Sequence, residues 1–415
     1  MAGTIYINPT AKSGGTGTQA SPYNSWSNIS FTAGTTYLQA AGTTYSGSLY
    51  IGVNATAAAP IKIGSYGTGA APIIKGGVNF DGATYVTFSG FQISNSTGAG
   101  VVLQSGANNI TISGNTIASS GMGIWIGNGA GTTNTISGNT ISNNTQYGIG
   151  INEVTGSGTV ISNNVISGNG YDGINVDGNS FTISDNTVSG NGLAVFGCSG
   201  IHIYASSAAD TYGAYNTVTG NVCIGNRDIY EEDGGGILAD QWTNHNTISN
   251  NFCYANDGAG IGVYDSYDNV VSGNDVGGNE LNSGGTHTSA GELMVNQLLG
   301  LAYGNTFKNN VALSDSSAPA MFVNSPSSQK NVFSSNVFEN LTGGPIYDWN
   351  ETIGSTLATW DTLANSNDKF SGVPLTPLPT GVTPSFSFPA GFGFSLDGKY
   401  ITLAGWSPTY GLLGG

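Results

Sequence analysis

Basic residues are scarce in this chain: eight Lys and Arg stand against 24 Asp and Glu, and Arg227 is the one arginine. A nucleic-acid partner is excluded, because binding a phosphate backbone needs basic patches that displace counterions. An anionic membrane surface is repelled for the same reason, and a neutral, cationic or cation-bridged partner is easier to accommodate. Cysteine is equally sparse. Cys198, Cys223 and Cys253 form neither a disulfide framework nor a metal-type spacing. No apolar run approaches the ~18–20 residues of a membrane span. The opening MAGTIYINPT has neither the basic start nor the apolar core of a secretory leader. The expected setting is therefore extracellular after loss of a leader, or virion-associated.

What is abundant is glycine, 66 of 415 residues, with Asn, Ser and Thr throughout. Such a chain turns often and buries short β-branched strands. A repeat organises it. The pattern N-x-I-x-x-N-x-I appears at 109–117 (NITISGNTI), 134–141 (NTISGNTI), 159–166 (TVISNNVI) and 181–188 (FTISDNTV). It returns at 216–223, 246–253, 269–276, 305–312 and 331–338. Residues 85–93 (YVTFSGFQI) form a degenerate first copy, with Phe91 in place of the second Asn. Two short strands joined by a tight turn fit this pattern, with Ile, Val and Phe pointing inward. The second Asn of each copy, from Asn115 to Asn336, is expected at the turn, where Asn tolerates left-handed backbone and can bond its neighbour one coil away. Another strand follows, as in Gly123-Ile-Trp-Ile-Gly127 and Gly200-Ile-His-Ile-Tyr204. Its third and fifth positions face out, so successive coils present columns of side chains ~4.8 Å apart.

The repeat resembles the pectate-lyase-like superfamily of right-handed parallel β-helix proteins, which embraces polysaccharide lyases, uronan epimerases, glycoside hydrolases and phage tailspike depolymerases. The resemblance implies an all-β solenoid of about 10–12 coils over residues 35–350, an N-terminal cap over 1–34, and a capping segment with a small β module over 351–415. The stretch from Tyr6 to Tyr23 is similar to the cap that opens many such chains, and Ala358–Ala364 to the segment that follows the last coil. The resemblance specifies the fold better than the chemistry.

Coil lengths locate the expected site. Successive ladder positions lie 24, 24, 25 and 22 residues apart up to Asn186, then 35, 30, 23, 36 and 26. Three insertions result, around Ala205–Tyr215, Asn226–Gly235 and Gly278–Ala290, and solenoid insertions usually lie on the binding face. Beside them stand Asn152, Asp177, Tyr204, Asp240, Tyr264 and Asn296 in one outward column, with Asn175 and His202 in the next. Glycoside hydrolysis needs two carboxyl groups flanking the scissile bond. Asp177 with Asp240, or Asp240 with Asp265, could supply them, with His202 and Tyr204 orienting hydroxyls or moving a proton. The lyase or epimerase alternative uses His202 and Tyr204 as base and acid. Arg227 would then neutralise a uronate, alone or with Ca²⁺ held by Asp228, Glu231, Glu232 or Asp233. No D-P-H motif of the epimerases and no G-H-G signature of polygalacturonases is present. Trp125 is the best surface platform for a sugar ring, and Asp172, Asn175, Arg227, Glu231, Glu232, Asp233, Trp242 and Tyr264 complete the expected substrate-binding set. The expected partner is a polysaccharide, with no cofactor required. A non-catalytic adhesin or virion fibre is the rival class, and the tail from 371 to 415 could supply a trimer contact.

Overall fold

In the computed structural model, residues 3–27, 29–127, 129–229, 233–281, 291–324, 330–340, 343–364, 369–370, 393–396 and 401–404 are described. The chain up to Lys369 forms one unit. It is a right-handed parallel β-helix of three thirteen-stranded sheets whose strands pair in parallel with their equivalents one coil away, except that Thr352–Gly354 turns back antiparallel on Tyr347–Trp349 at the end of one sheet. The first sheet holds the N-x-I strands, such as Asn108–Ser113, and the second the x-N-x-I strands, such as Thr116–Ala118. The third holds the G-I-x-I strands, such as Met122–Ile126. Alternation puts Ile110, Ile112, Ile117, Ile124 and Ile126 of one coil inside, all at 0–1% exposure. The coils before residue 76 escape the sequence repeat because their corners lack asparagine. Strands Thr36–Ala40 and Ile61–Tyr66 nevertheless continue the first sheet.

Every corner follows one rule. The residue in left-handed conformation precedes the ladder asparagine, correcting the expectation that the asparagine itself adopts it. Gly114, Gly138, Asn163 and Asp185 have positive φ at the first corner, immediately before Asn115, Asn139, Asn164 and Asn186. The asparagine then spans coils. Asn139 Oδ1 accepts from the backbone N–H of Asn115 at 3.0 Å, and Asn139 Nδ2 donates to the Ile112 carbonyl at 3.0 Å. Both groups would otherwise be buried without partners.

The sequence reading anticipated one such ladder, and the structure has three. Asn144, Asn169, Asn191, Asn226, Asn256 and Asn279 bond in the same way at the second corner. Asn216, Asn246, Asn269, Asn305 and Asn331 do so at the third. The second ladder ends on a carboxyl: Asn279 donates through its backbone N–H and its Nδ2 to Glu292, the latter at 2.7 Å.

Aromatic side chains close the core at both ends. Trp26 donates from Nε1 to Gln39 at 2.7 Å and stacks near Phe31. The helix Leu357–Ala364 brings the fully buried Trp360 against Phe333, Phe338, Tyr347 and Trp349. Cys223 and Cys253 pair in register on adjacent coils and are free, buried thiols, as is Cys198. Beyond Phe370, the second unit contains the antiparallel strands Gly393–Leu396 and Ile401–Ala404. The rest of the expected C-terminal module lies outside the described residues.

The ladder has a measurable consequence. Asn221→Ala removes the acceptor of the Asn186 N–H and the donor to the Ile183 carbonyl. Each buried group left unsatisfied costs about 1–3 kcal/mol, so urea unfolding should show a loss of about 2–6 kcal/mol for the two groups, while Thr116→Ala, exposed on the outward face, should leave the midpoint nearly unchanged.

Candidate functional site

The third sheet is bordered by insertions on both edges. Ala205–Tyr215 follows its strand Ile201–Ile203, and Asn226–Gly235 precedes its strand Ile237–Ala239 on the next coil. Part of the third insertion, 282–290, lies outside the described residues. Register brings one outward column together in the order Trp125, Gly150, Asn175, His202, Leu238, Gly262, Met294 and Phe322. In the neighbouring column Asn152 pairs with Asp177, and Tyr264 with Asn296. Tyr204 and Asp240 extend it from strand ends, their N–H groups donating to Val176 and Ile203.

The centre of this face is a buried imidazole between two carboxylates. His202 Nε2 lies 3.2 Å from Asp240 Oδ2, and Nδ1 lies 3.4 Å from Asp172 Oδ1, an ion-pair contact without hydrogen-bond alignment. Asp172 is held in turn by the backbone N–H of Ser199 at 2.6 Å and by Asn175 Nδ2 at 3.3 Å. Burial opposes charge on His202, but Asp172 and then Asp240 outweigh it, so its pKa stands well above the ordinary imidazole value. The Tyr204 ring meets His202 edge-on at 5.7 Å.

Asp177 is built differently. A β-bulge shifts the register between Asn152 and Val154, and the bulged Glu153, at φ 50°, donates its N–H to the Asp177 carboxylate. Bulges commonly re-aim groups beside active sites. Asp177 is 8% exposed and its Oδ1 has no partner. Burial first, then the charges of Asp210 and Glu153, push its pKa up to about 6. Asp233, from the middle insertion, is pushed up to about 7 by burial and by Asp240, against the lowering effect of His202. Neither Asp210 nor Glu153 belonged to the expected site. Asp210 is the one acid of its insertion, a usable signal, whereas nothing in the repeat foretells the bulge.

An aromatic floor adjoins this centre. The half-buried Trp125 ring lies across the next coil, so close to Gly150 that a Cβ there would meet it at 3.0 Å. Tyr147 borders the same glycine and packs edge-on against Tyr171 at 5.1 Å. On the other side of His202 the column turns apolar. Leu238, Met294 and Phe322 join Ala259 in a buried cluster against which Tyr264 packs, so those coils offer less open surface than their outward register suggests.

Several expected residues do other work. Asp265 is 1% exposed and both its oxygens accept backbone N–H groups, from Leu298 at 2.7 Å and Leu299 at 2.6 Å. It braces a loop and leaves the catalytic set. Arg227 faces Asp257 at 3.7 Å. Asp228 Oδ2 accepts the N–H groups of Gly197, from the loop one coil earlier, and of Asp233. Glu231 and Glu232 lie outside the described residues. Among the described residues no group of three or more His, Cys, Asp or Glu could hold a metal ion. Trp242 occupies a left-handed corner position and donates its N–H to the Asp265 carbonyl at 2.8 Å.

Comparison with known proteins agrees with the architecture. A family model described as a right-handed β-helix region matches residues 76–225 and 208–358. No curated protein matches the sequence. Among solved structures, the A-module of the Azotobacter vinelandii mannuronan C-5 epimerase AlgE4 superposes with a TM-score of 0.56 at 16% identity, covering 76% of this chain and 90% of that one. The GH136 lacto-N-biosidase from Eubacterium ramulus gives 0.50 at 17% identity, covering 89% and 68%. The Dettilon tailspike protein gives 0.51 at 16% identity, covering 83% and 68%. At these identities the likeness is one of fold.

The imidazole cluster can be tested directly. NMR titration should find His202 still protonated above the ordinary imidazole range, and Asp172→Asn or Asp240→Asn should each bring its pKa down. Because the folded value is raised, the stabilisation linked to His202 is complete below the unfolded value near ~6.5 and is lost as pH rises through the folded one.

Proposed function

The chain belongs to the right-handed β-helix family, and we propose that it is a polysaccharide-cleaving enzyme, a glycoside hydrolase using Asp177 as general acid and Asp240 as general base. The observation that carries this reading is a pair of carboxyl groups in one outward column whose surroundings differ. Asp177 is buried, its Oδ1 has no hydrogen-bond partner and its pKa is pushed up to about 6, whereas Asp240 is hydrogen-bonded to the His202 imidazole. Environments that drive two acids apart assign the acid and the base. The two residues lie two coils apart, about 9.6 Å at the usual ~4.8 Å strand spacing. That backbone spacing is too wide for the ~5–5.5 Å carboxyl separation of a retaining enzyme unless the side chains converge, so inversion is the reading we adopt.

In this reading Asp177 gives its proton to the glycosidic oxygen as the bond to the anomeric carbon breaks. Asp240 takes a proton from the water whose oxygen bonds to that carbon. His202 holds Asp240 in place, Tyr204 orients a hydroxyl, and Trp125 stacks on a sugar ring toward the N-terminal coils. Names such as mannuronan epimerase and lacto-N-biosidase among the structural neighbours support a glycan as ligand. They leave the reaction to be argued from the site. Uronate elimination or epimerisation is less well supported, because Arg227 faces Asp257 and both His202 nitrogens face carboxylates. A passive fibre or adhesin would have no need of a buried imidazole held between two carboxylates on its outward face. The setting we propose is extracellular or on a virion.

The test is a panel of neutral and uronic polysaccharides, followed for reducing ends and for absorbance of unsaturated uronate. Hydrolysis yields reducing ends alone, and absorbance would overturn the assignment. On the cleaved substrate, kcat/KM should fall as pH rises through about 6, the value for Asp177. Asp177→Asn and Asp240→Asn should each lower kcat by ~10²–10⁴-fold, as loss of a general acid or base does, with the unfolding midpoint of Asp177→Asn near that of the parent.

A further inference from the structure

The Trp125 indole takes its posture from two glycines. Trp125 points outward from the third sheet, and register places Gly150 beside it on the next coil. A Cβ at Gly127 would meet the indole at Nε1, Cε2 and Cζ2, 2.8–3.0 Å away, and one at Gly150 would meet Cε3 and Cζ3 at 3.0–3.2 Å. Opposite edges of the ring system therefore bear on backbone, one on its own strand and the other on the neighbouring coil. A ring standing on edge could reach only one of them. Touching both, the indole lies flat and leans toward the C-terminal coils, its inner face covered and its outer face open, which accounts for its half-buried state. The next positions of the column carry Asn175, His202 and Leu238, any of which would prop such a ring up. Tyr147, also half-buried, borders Gly150 and meets Tyr171 edge-on, which extends the aromatic surface toward Asp172. A flat apolar ring of this kind matches the C–H face of a pyranose.

The order of residues along the solenoid sets the direction of a chain held there. The column runs Trp125, Gly150, Asn175, His202, Leu238, one residue to a coil, with Asp177 on the coil of Asn175 and Asp240 on that of Leu238. In an inverting reaction the water and the leaving oxygen stand on opposite faces of the anomeric carbon, the base beside the first and the acid beside the second. Here the base lies on the C-terminal side and the acid on the N-terminal side. The sugar under attack then covers the His202 coil, and its leaving oxygen points back toward Asp177. One sugar unit extends a glycan by roughly the ~4.8 Å between coils. The first leaving unit thus covers the Asp177 coil and the second the Gly150 coil, where the indole lies.

We propose that the glycan lies along the third sheet with its reducing end toward the N-terminal coils, and that Trp125, held flat over Gly127 and Gly150, is the platform for the second sugar on the leaving side. This rests on the cleavage reading above and deepens it, because it fixes the direction of the polymer and asks for at least two units beyond the scissile bond. On the far side of His202 the column closes into the buried cluster of Leu238, Met294 and Phe322, so the open ring serves the leaving side.

The experiment uses the full chain and the polysaccharide of the panel above that releases most reducing ends. It is supplied as oligosaccharides isotopically labelled at the reducing end, and as nitrophenyl glycosides, whose aryl group fills the first leaving position and nothing beyond it. Mass spectrometry of the products should find the label on fragments of two or more sugars. Trp125→Ala should lower kcat/KM on the oligosaccharides about tenfold or more, the loss of a ring-stacking contact, and leave the nitrophenyl glycosides within about twofold of the parent. Gly150→Ala, whose methyl lifts the ring, should reproduce part of the loss with Trp125 still present, and Trp125→Tyr should restore part of it. An equal loss on both kinds of substrate makes Trp125 structural and overturns the proposal, as does a Trp125→Ala enzyme that cuts the oligosaccharides as the parent does. A Trp125→Ala variant that moves the cut relative to the non-reducing end reverses the direction of the polymer and overturns the proposal while leaving cleavage intact. If the parent cuts no glycan, the cleavage reading fails and takes this one with it.

Discussion

A buried amide at each corner, accepting from one coil and donating across it to the next, fixes the geometry on which the remaining structure depends. Parallel coils can stack only if equivalent corners repeat, because every inward carbonyl and N–H at a turn must find a partner one strand spacing away. Asparagine meets this need with one side chain. Its carboxamide offers an acceptor and two donors, and the residue before it takes the left-handed conformation. Where Thr159 replaces the amide at the third corner its hydroxyl still accepts the Asn134 N–H at 3.2 Å, whereas Phe91 at the first corner offers no side-chain acceptor. Asn115 receives nothing from Phe91 except a backbone N–H, and the ladder begins there.

That constraint explains where chemistry can reside. Corners cannot carry a reactive group, since their polar atoms are consumed by the ladders. Inward positions are filled by Ile, Val and Phe. Only outward positions and insertions remain. Insertions are tolerated because a loop leaves and re-enters at two fixed ladder points, so its length adds little strain to neighbouring coils. The 35-residue step from Asn186 to Asn221 and the 30-residue step to Asn251 keep both bonds at 2.9–3.0 Å despite their insertions. The site is thus a variable rim on an invariant platform.

The platform was legible in the sequence and the rim only in part. Strict periodicity places Asn152 beside Asp177 and Asn175 beside His202, because register in a two-residue alternation permits no other arrangement. Periodicity is silent on how a loop returns. Asp172 reads from sequence as a surface contact, yet the return of the chain through Ser199 makes it the brace of His202. Asp265 reads as half of a catalytic pair, yet Leu298 and Leu299 fold back onto it. The second and third ladders were missed for another reason. Their asparagines stand five residues before and five after those of the first corner, at the same spacings, and periodicity alone does not say which polar positions turn inward at a corner.

The end of the second ladder carries the argument one step further. At Glu292 the amide gives way to a carboxyl that takes the same two donations from Asn279. Burial pushes this carboxyl up to about 8, against the lowering effect of the Asn279 bonds. A neutral carboxylic acid is the nearest chemical substitute for an amide at such a place, since it accepts as an amide does and carries no charge. Asp177 is also buried and raised, but one of its oxygens faces no donor. The contrast separates a buried acid completed by the fold from one left incomplete by it. In a scaffold whose ladders satisfy their interior polar atoms so consistently, a buried carboxyl that keeps one oxygen without a partner gains more from carrying a proton than from carrying a charge, which is the state a general acid needs.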